Sequence, residues 1–351
     1  MSAPVTDIDA AWRLLLAASA GRRADSLPPA SGAWRVVARK GSDAKEPDGP
    51  SGAAVSAVDG LLEAVPADDA RAVLVRRADG AFAAGPALSP AVRDFVELYL
   101  PMLGTGNDRP FVLAHLGQSV DASIASLAGS NDIVTGPEDF AHMHRLRALA
   151  DAVLVGAGTI AADDPRLTVR LVDGPDPVRV VLDPDTRLGS DFGVFRDGAS
   201  PTLRVQSARA RDGNGGRESG SRAPARGRAE PFGVDVLSVA SDETGLSLHA
   251  LRSALHERGL GVVFIEGGGV TVTRWMEAGL LDRLHLVAAP VLLGDARPSL
   301  RLPGAMDANA ASRPPCRLYQ LGEDVLWDFD LRGERTDPRA TRAATAFRRL
   351  V

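Results

Sequence analysis

The chain has 351 residues, of which 45% are hydrophobic and 24% are charged, and its formal net charge is −5. This length allows two domains, and the composition is that of a globular protein rather than a disordered or fibrous one. The acidic balance argues against nucleic-acid binding, because phosphate recognition depends on clustered Lys and Arg.

We expect neither a membrane span nor a signal peptide in this sequence. No apolar run reaches the ~18 residues of a membrane span. The apolar run Ala10–Ala20 contains Arg13 and follows two aspartates, which is unlike a signal peptide. The single cysteine, Cys316, excludes an intrachain disulfide and is expected to be a small buried strand residue. We therefore predict a cytoplasmic protein without a membrane partner.

Residues 1–108 form the first predicted unit, a small α+β accessory unit. Its predicted elements are a helix at Ala10–Ala20, a hairpin at Arg71–Gly85 around Asp79-Gly80, and a helix at Pro90–Leu103. A linker is predicted from Gly104 to Pro110.

From residue 109 to residue 333 the pattern changes to apolar strands that alternate with helices, which predicts an α/β domain with a mainly parallel, mixed sheet. The predicted strands are Phe111–Leu116, Ala152–Val155, Val178–Leu182, Thr202–Val205, Val234–Leu237, Gly261–Ile265 and Arg283–Ala288, followed by a hairpin of Arg317–Leu321 and Val325–Leu331. The predicted helices are Pro137–Ala150, Ser247–Arg258 and Val270–Ala278. Residues 207–231 are predicted to be a flexible insertion and residues 334–351 a basic tail.

Three glycines at the junction of a predicted strand and helix give the sharpest local signal. The segment Glu266-Gly267-Gly268-Gly269 follows the strand that ends at Ile265. Glycines there allow a phosphate to approach backbone N–H groups at a helix N-terminus. The alternative is a tight turn that needs positive φ. The spacing does not fit the Rossmann fingerprint.

Two further segments place polar residues after predicted strands. In the first, Gly156-Ala157-Gly158-Thr159 is predicted to be a glycine-rich loop that continues through Asp163 to Arg170. In the second, Gln118-Ser119-Val120-Asp121 follows the first strand of the domain. Ligands bind at the carboxyl ends of parallel strands, so both segments are candidate ligand contacts, although both also suit simple turns.

Together these segments resemble the C-terminal reductase domain of the bifunctional riboflavin-biosynthesis deaminase/reductase, whose fold is similar to dihydrofolate reductase. The resemblance covers Arg109 to Leu331. It rests on the order of the motifs, which are Ser119-Val120-Asp121, His144-Arg145-Leu146-Arg147, the Gly156 to Arg170 segment, Pro177 to Asp183, Glu266-Gly267-Gly268, Ala289-Pro290 and Leu293-Gly294.

The resemblance implies an NADPH-dependent reductase that acts on a phosphorylated ribosylaminopyrimidine. We also expect a homodimer and no bound metal. The implied cofactor contacts are Gln118, Ile133, Thr159, Asp163, Gly268, Gly269, Val270, Thr271 and Arg274, and the implied substrate contacts are Asn131, Arg147, Leu167, Arg170 and Glu266. We take Glu266, Asp163 and His115 as the candidate catalytic residues. Arg187 is a candidate for contact with an adenosine 2′-phosphate.

Other roles are open for the arginines and the glutamate. Arg147 suits a salt bridge on a helix surface, Arg170 a solvated loop charge, and Glu266 a helix N-cap partner. The other functions considered are reduction of a pterin, folate or other heterocycle, and nucleotide binding without catalysis.

The sequence departs from the family pattern at several positions. His115 stands where the family often has lysine, Ala122-Ser123 replaces Gly-Lys, and Ile133 replaces a tryptophan. Residues 1–108 contain neither His nor Cys, so they cannot form the zinc deaminase half of the bifunctional enzyme. Dimer contacts and capping of the substrate cleft are the two roles left open for this unit.

His142 and His144 lie two apart on a predicted helix and should face different partners, not one metal.

Overall fold

The computed structural model describes residues 6–23, 33–36, 62–65, 70, 72–77, 81–104, 110–126, 134–208, 233–243, 245–304 and 312–332. The chain divides into two units. Unit 1 comprises Met1–Phe111 and Phe140–Glu266, and unit 2 comprises Val112–Asp139 and Gly267–Val351. The predictions for Asp79-Gly80, Asn131, Ile133, most of the insertion and the tail lie outside the described residues.

Unit 1 begins with helices and a small antiparallel sheet. The elements are α1 (Ile8–Arg23), β1 (Ala33–Val36), β2 (Leu62–Val65), β3 (Leu74–Arg76), β4 (Phe82–Ala84) and α2 (Pro90–Tyr99), which a 3-10 turn extends over Leu100–Met102. The strand order is β2-β1-β3-β4. α1 starts where the Asp7 carboxylate accepts a hydrogen bond from the Asp9 N–H at 2.9 Å. Both predicted helices are confirmed, as is the pairing of β3 with β4.

The larger part of unit 1 is a parallel sheet with helical connections. Its elements are α3 (Pro137–Leu149), β7 (Ala152–Gly156), α4 (Ala157–Asp163), β8 (Val178–Leu182), α5 (Gly193–Arg196), β9 (Thr202–Ser207), β10 (Val234–Val239), a ribbon of β11 (Ser241–Asp242) and β12 (Gly245–Leu246), α6 (Leu248–His256) and β13 (Val262–Glu266). The strands of the sheet run in the order β10-β9-β8-β7-β13. All four pairings in it are parallel.

One element of unit 1 corrects the sequence interpretation. Residues 157–163, predicted to be part of a glycine-rich loop, form the helix α4. Ala157 and Ile160 are three residues apart and both are buried, so packing overrides the weak helix propensity of glycine. The helix ends at Asp164, whose φ of 38° is left-handed.

Unit 2 contains a mixed four-stranded sheet. Its elements are β5 (Phe111–Ser119), β6 (Ser123–Ala125), α7 (Gly269–Glu277), β14 (Arg283–Ala289), β15 (Arg297–Pro298), β16 (Cys316–Leu321) and β17 (Asp324–Asp330). β5 and β14 are parallel, whereas β17 is antiparallel to both β14 and β16, and the order is β5-β14-β17-β16. The predicted hairpin and the α/β class with a mixed, mainly parallel sheet are confirmed.

The structure also bears on the predictions for the cysteine and for membrane spans. Cys316 opens β16 but is exposed, so the prediction of a buried cysteine is wrong. Among the described residues, no helix has the length and apolar character needed to cross a membrane. The boundary at residue 108 stays a prediction.

Candidate functional site

The structure places the predicted site residues in both units. Arg147, Thr159, Asp163, Leu167, Arg170 and Glu266 belong to unit 1, whereas His115, Gln118 and Gly268 to Arg274 belong to unit 2. Each group is described by itself.

Arg147 and Glu266 form an ion pair in unit 1. Arg147 lies in the last turn of α3, and Glu266 is the last residue of β13. The Arg147 Nε donates to Glu266 Oε2 at 2.7 Å, and Nη2 donates to Oε1. The side chains are only 6% and 17% exposed. Burial opposes the charge of Arg147, but the Glu266 carboxylate raises the pKa of the guanidinium. The Arg147 guanidinium therefore stays charged beside the carboxylate.

This pairing contradicts the alternative weighed for Arg147. Arg147 is not in a helix-surface salt bridge, because the pair is buried. The N-cap residue of α7 is Gly268, and the alternative of Glu266 as a helix N-cap partner stays a prediction. The third donor group of Arg147, Nη1, bonds the Thr168 carbonyl at 2.7 Å. Most of the donor capacity of Arg147 is therefore already used within unit 1.

Arg170 differs from Arg147 because it is exposed. Its Nη1 bonds the Thr168 hydroxyl at 2.8 Å. Among the described residues, no carboxylate forms an ion pair with it. Burial, Arg147 and Arg166, in that order, lower the pKa of Arg170. An anion that reached this guanidinium would relieve the repulsion between neighbouring cations.

His144 is a site residue whose role sequence reasoning missed. Its Nδ1 accepts a hydrogen bond from the Arg170 N–H at 2.8 Å, and its Nε2 lies 3.4 Å from Arg147 Nη1. Burial and the charges of Arg147 and Arg170 lower the pKa of His144 to about 4. A neutral imidazole therefore holds the Arg170 backbone. The available signal was the spacing of His144 and Arg147, three residues apart on one helix face.

The segment that leads to Arg170 carries backbone strain. Leu167, a predicted substrate contact, is 1% exposed and has a φ of 57°. Positive φ is unfavourable for a bulky residue, and such strain tends to accumulate at functional sites.

Asp163 is exposed and Thr159 half-buried on α4, so these two residues lie on a helix and not on the predicted loop.

His142 and His144 have different partners, as predicted. His142 Nδ1 lies 2.9 Å from the Tyr99 hydroxyl, whereas His144 bonds the Arg170 backbone. Within the described ranges, no group of three or more His, Cys, Asp or Glu residues is arranged to hold a metal ion.

His115 of unit 2 lies in a buried network of histidines and aspartates. Its Nε2 is 2.8 Å from Asp139 Oδ1, and it is paired in register with His285 of β14. His285 Nε2 is 3.2 Å from Asp328 Oδ1. Despite burial, His115 holds the pKa of Asp139 below its usual value, while burial lowers the pKa of His285. His115 is 4% exposed, and its catalytic role stays a prediction.

The glycine turn of unit 2 has a structural requirement at one position. None of Gly267, Gly268 and Gly269 has a positive φ, so the alternative of a positive-φ turn is wrong. A Cβ at Gly269 would lie 1.4 Å from the Ser299 carbonyl oxygen, so backbone passes directly against this glycine. Gly268 is the N-cap in an extended conformation, with φ −61° and ψ 157°.

The parallel sheet of unit 1, with Glu266 at the end of β13 paired to the buried Arg147, defines an α/β protein. Comparison with known families identifies the class more closely. Residues 110–326 match the model of the RibD C-terminal domain. The chain belongs to this family.

Two curated relatives show how much of the chain is shared. The chain is 33% identical over 231 residues to the 2,5-diamino-6-ribosylamino-4(3H)-pyrimidinone 5′-phosphate reductase of Methanothermobacter thermautotrophicus, which covers 64% of this chain and 100% of that protein. It is 31% identical over 199 residues to the riboflavin biosynthesis protein RibD of Bacillus amyloliquefaciens, covering 56% of this chain and 50% of that protein. The chain thus spans the whole of the first relative and about half of the second.

The fold is also found in a solved structure. The riboflavin biosynthesis reductase of Saccharomyces cerevisiae superposes with a TM-score of 0.53 at 20% identity, covering 68% of this chain and 97% of that one. At this identity the similarity establishes the fold alone.

Proposed function

We propose that the protein is an NADPH-dependent reductase that converts the ribosyl group of a ribosylaminopyrimidine 5′-phosphate to a ribityl group in riboflavin biosynthesis. The observation that carries the proposal is the exposed Arg170 guanidinium beside the buried Arg147–Glu266 pair. The 33% identical archaeal reductase, matched over its full length, supports the same substrate class.

Arg170 is the proposed anchor for the substrate phosphate. It is exposed, it forms no ion pair among the described residues, and partial burial together with neighbouring cations lowers its pKa. A guanidinium binds a phosphate through two parallel hydrogen bonds. Arg147 contributes mainly by holding Glu266 and the Thr168 carbonyl. Leu167 and Asn131 remain proposed substrate contacts.

Glu266 is the proposed acceptor for the ribose hydroxyls. Its oxygens already accept hydrogen bonds from Arg147, which fixes the carboxylate in one orientation. Each carboxylate oxygen has a second lone pair that can accept from a sugar hydroxyl. A fixed acceptor would hold the sugar in one orientation.

The first turn of α7 fits the phosphates of a dinucleotide. The helix has no side-chain cap at Gly268, and Val270 is 71% exposed. The N–H groups and positive end of such a helix suit an anion. Gly268, Gly269, Val270, Thr271 and Arg274 would hold the cofactor there. When bound, NADPH supplies the hydride.

The other cofactor contacts remain proposals. They are Gln118, Ile133, Thr159, Asp163 and, for the 2′-phosphate, Arg187. Arg187 is 65% exposed and its nearest carboxylate, that of Asp185, is 4.0 Å away, so the guanidinium is accessible. NADPH should therefore bind more tightly than NADH, which a fluorescence titration of both cofactors would test. Equal affinities would contradict the assignment of NADP.

Substrate-dependent oxidation of NADPH tests the proposed reaction. The substrates are the 5′-phosphates of the diamino-ribosylaminopyrimidinone and of the amino-ribosylaminouracil, with the dephosphorylated compounds and dihydrofolate as controls. We expect loss of NADPH absorbance with a phosphorylated ribosylamine only. Turnover of dihydrofolate alone would point to a pterin or folate reductase. Cofactor binding without any turnover would point to a non-catalytic member of the family.

The proposal includes a homodimer in the cytoplasm. Leu318 on the edge strand β16 is 49% exposed, and its partner in register, Trp327, is 37% exposed. Apolar side chains on an exposed sheet edge favour association. The single cysteine suits a reducing compartment. Light scattering after gel filtration would test the dimer, and a monomer at all concentrations would contradict it.

A further inference from the structure

Helix α1 contacts the segment that carries Arg170. We call residues 168–176 the Arg170 loop. The Trp12 indole N–H donates to the Asp173 carbonyl in this loop at 2.9 Å. At Gly174, where φ is 146°, an added Cβ would lie 2.5 Å from the Ala148 Cβ and 3.3 Å from Leu16 Cδ2. The backbone of the loop therefore packs against both α1 and α3.

The other end of α1 is fixed to the same unit. Arg22 donates two hydrogen bonds to the Asp151 carboxylate, at 2.7 and 2.9 Å, and is 4% exposed. Arg23 donates to the carbonyls of Ala148 and Ala150, at 3.0 and 2.8 Å, at the end of α3. Cations at this helix end also suit the macrodipole of α1. The helix is thus anchored independently of its contact with the loop.

The Arg170 loop has other restraints near its two ends. Its Val169 N–H donates to Asp176 Oδ1 at 2.5 Å, which closes the loop on itself. The Thr168 carbonyl accepts from Arg147 Nη1 at 2.7 Å, and the N–H groups of Arg170 and Leu171 donate to His144 of α3 at 2.8 and 3.4 Å. These hydrogen bonds do not involve Asp173 and Gly174, where Trp12 and Leu16 make their contacts.

We propose that α1 positions the Arg170 loop for the substrate phosphate, with Trp12 and Leu16 as the positioning residues. α1 lies outside residues 110–326, which match the family, so this support is a feature of the N-terminal region of this chain. The inference rests on the proposed role of Arg170 in phosphate binding. It gives α1 a task in the reaction: the helix restricts the loop to the conformation in which the guanidinium meets its ligand.

The test compares Trp12→Phe with the wild-type protein. Phenylalanine keeps an aromatic ring beside Tyr99, whose ring centroid is 6.0 Å from that of Trp12, and removes the N–H donor together with one ring of the indole. We expect faster amide hydrogen exchange within the Arg170 loop. The KM for the ribosylaminopyrimidine 5′-phosphate should rise roughly two- to ten-fold, the effect of losing one neutral hydrogen bond, while kcat and NADPH affinity stay unchanged.

Two further variants complete the design. Arg13→Gln, an exposed position on α1, is the matched control and should change neither the exchange rate nor KM. Leu16→Ala trims the second contact and should act in the same direction as Trp12→Phe, which keeps the test decisive if one variant does not fold.

The outcomes separate this inference from the proposed function. Unchanged exchange in the loop, or faster exchange with an unchanged KM while Arg170→Ala raises KM, overturns the role of α1. An Arg170→Ala variant with wild-type KM overturns the phosphate assignment itself. Faster amide hydrogen exchange in the Arg170 loop would then show only that α1 restrains the backbone of the loop.

Discussion

Arg170 and Arg147 have different environments, so their removal should have different consequences. Arg170→Ala should raise the KM for a phosphorylated substrate ten-fold or more, since a charge-assisted contact is worth ~1.5–3 kcal/mol, and should spare NADPH affinity. Steady-state kinetics with and without the phosphate would measure this. Arg196→Ala is the control, because Arg196 is an exposed arginine of the same unit, on α5. Wild-type kinetics for Arg170→Ala would remove the main residue-level support for the proposed substrate.

Arg147→Ala should act on stability as well as on kinetics. The change leaves Glu266, which is 17% exposed, without its cation. Loss of one partner of a buried ion pair costs about 3–5 kcal/mol, and partial exposure places Glu266 at or below the lower limit. Chemical denaturation of Arg147→Ala and of the double variant Arg147→Ala/Glu266→Gln would measure the cost. If the double variant is no more stable than the single one, the unpaired carboxylate is not the cause.

His144 should make the free energy of unfolding depend on pH between about 4 and 6.5. Its pKa of about 4 in the folded protein is below the ordinary value of 6.5, so the unfolded chain binds the proton first. Between these two values, falling pH should lower the free energy of unfolding. His144→Asn retains an acceptor near the Nδ1 position and should remove this slope. Denaturation curves from pH 4 to 7 would show it, and an identical slope in both proteins would contradict the assignment.

Helix α7 depends on a glycine for packing. Gly269→Ala should destabilise the protein, because its Cβ would lie 1.4 Å from the Ser299 carbonyl oxygen and the backbone would have to move. Gly158→Ala in α4 is the matched control, since no atom lies within 4 Å of its added Cβ. Alanine there should raise stability by up to about 1 kcal/mol. Thermal unfolding would measure both, and equal melting temperatures for the two variants would refute the packing argument.

The elements most accurately predicted from the sequence are those whose pattern is local. Strand β8 has the predicted bounds, and the helices around Pro90, Pro137 and Ser247 begin within a residue of where the sequence signals placed them. α4 was missed because its stability comes from burial of Ala157 and Ile160, which no local pattern reveals. The same limit applies to the site. Charge and spacing singled out Arg147, Arg170 and Glu266, but only the fold shows that two of them neutralise each other.

Over the whole molecule, acid should unfold the protein through carboxylates that are ionised in the folded state. The pKa values of Asp139, Asp151 and Asp328 are all lowered, against the opposing effect of burial, by the histidines or arginines that they contact. A depressed pKa contributes stability above the unfolded value near 4 and loses it as pH falls. These aspartates lie in both units, so we expect both to lose structure below about pH 4.

Circular dichroism during an acid titration would follow this transition. Asp151→Asn should flatten the pH dependence, because Asp151 receives hydrogen bonds from Arg22, Arg23 and the Val262 N–H. Asp185→Asn, at a 72% exposed position, should leave the pH dependence as it is in the wild type. Flattening by Asp185→Asn and not by Asp151→Asn would contradict this account.

The pairing of Arg147 with Glu266 also bears on inhibitor design. The two charges cancel, so the pair offers no net positive charge to an inhibitor. An inhibitor with one anionic group at Arg170 and a second directed at this pair would bring the second group against the Glu266 carboxylate. Selectivity should come from a single anion aimed at Arg170 together with neutral hydrogen-bond donors aimed at Glu266. A dianionic scaffold designed on the assumption of two available arginines should bind more weakly than its monoanionic counterpart.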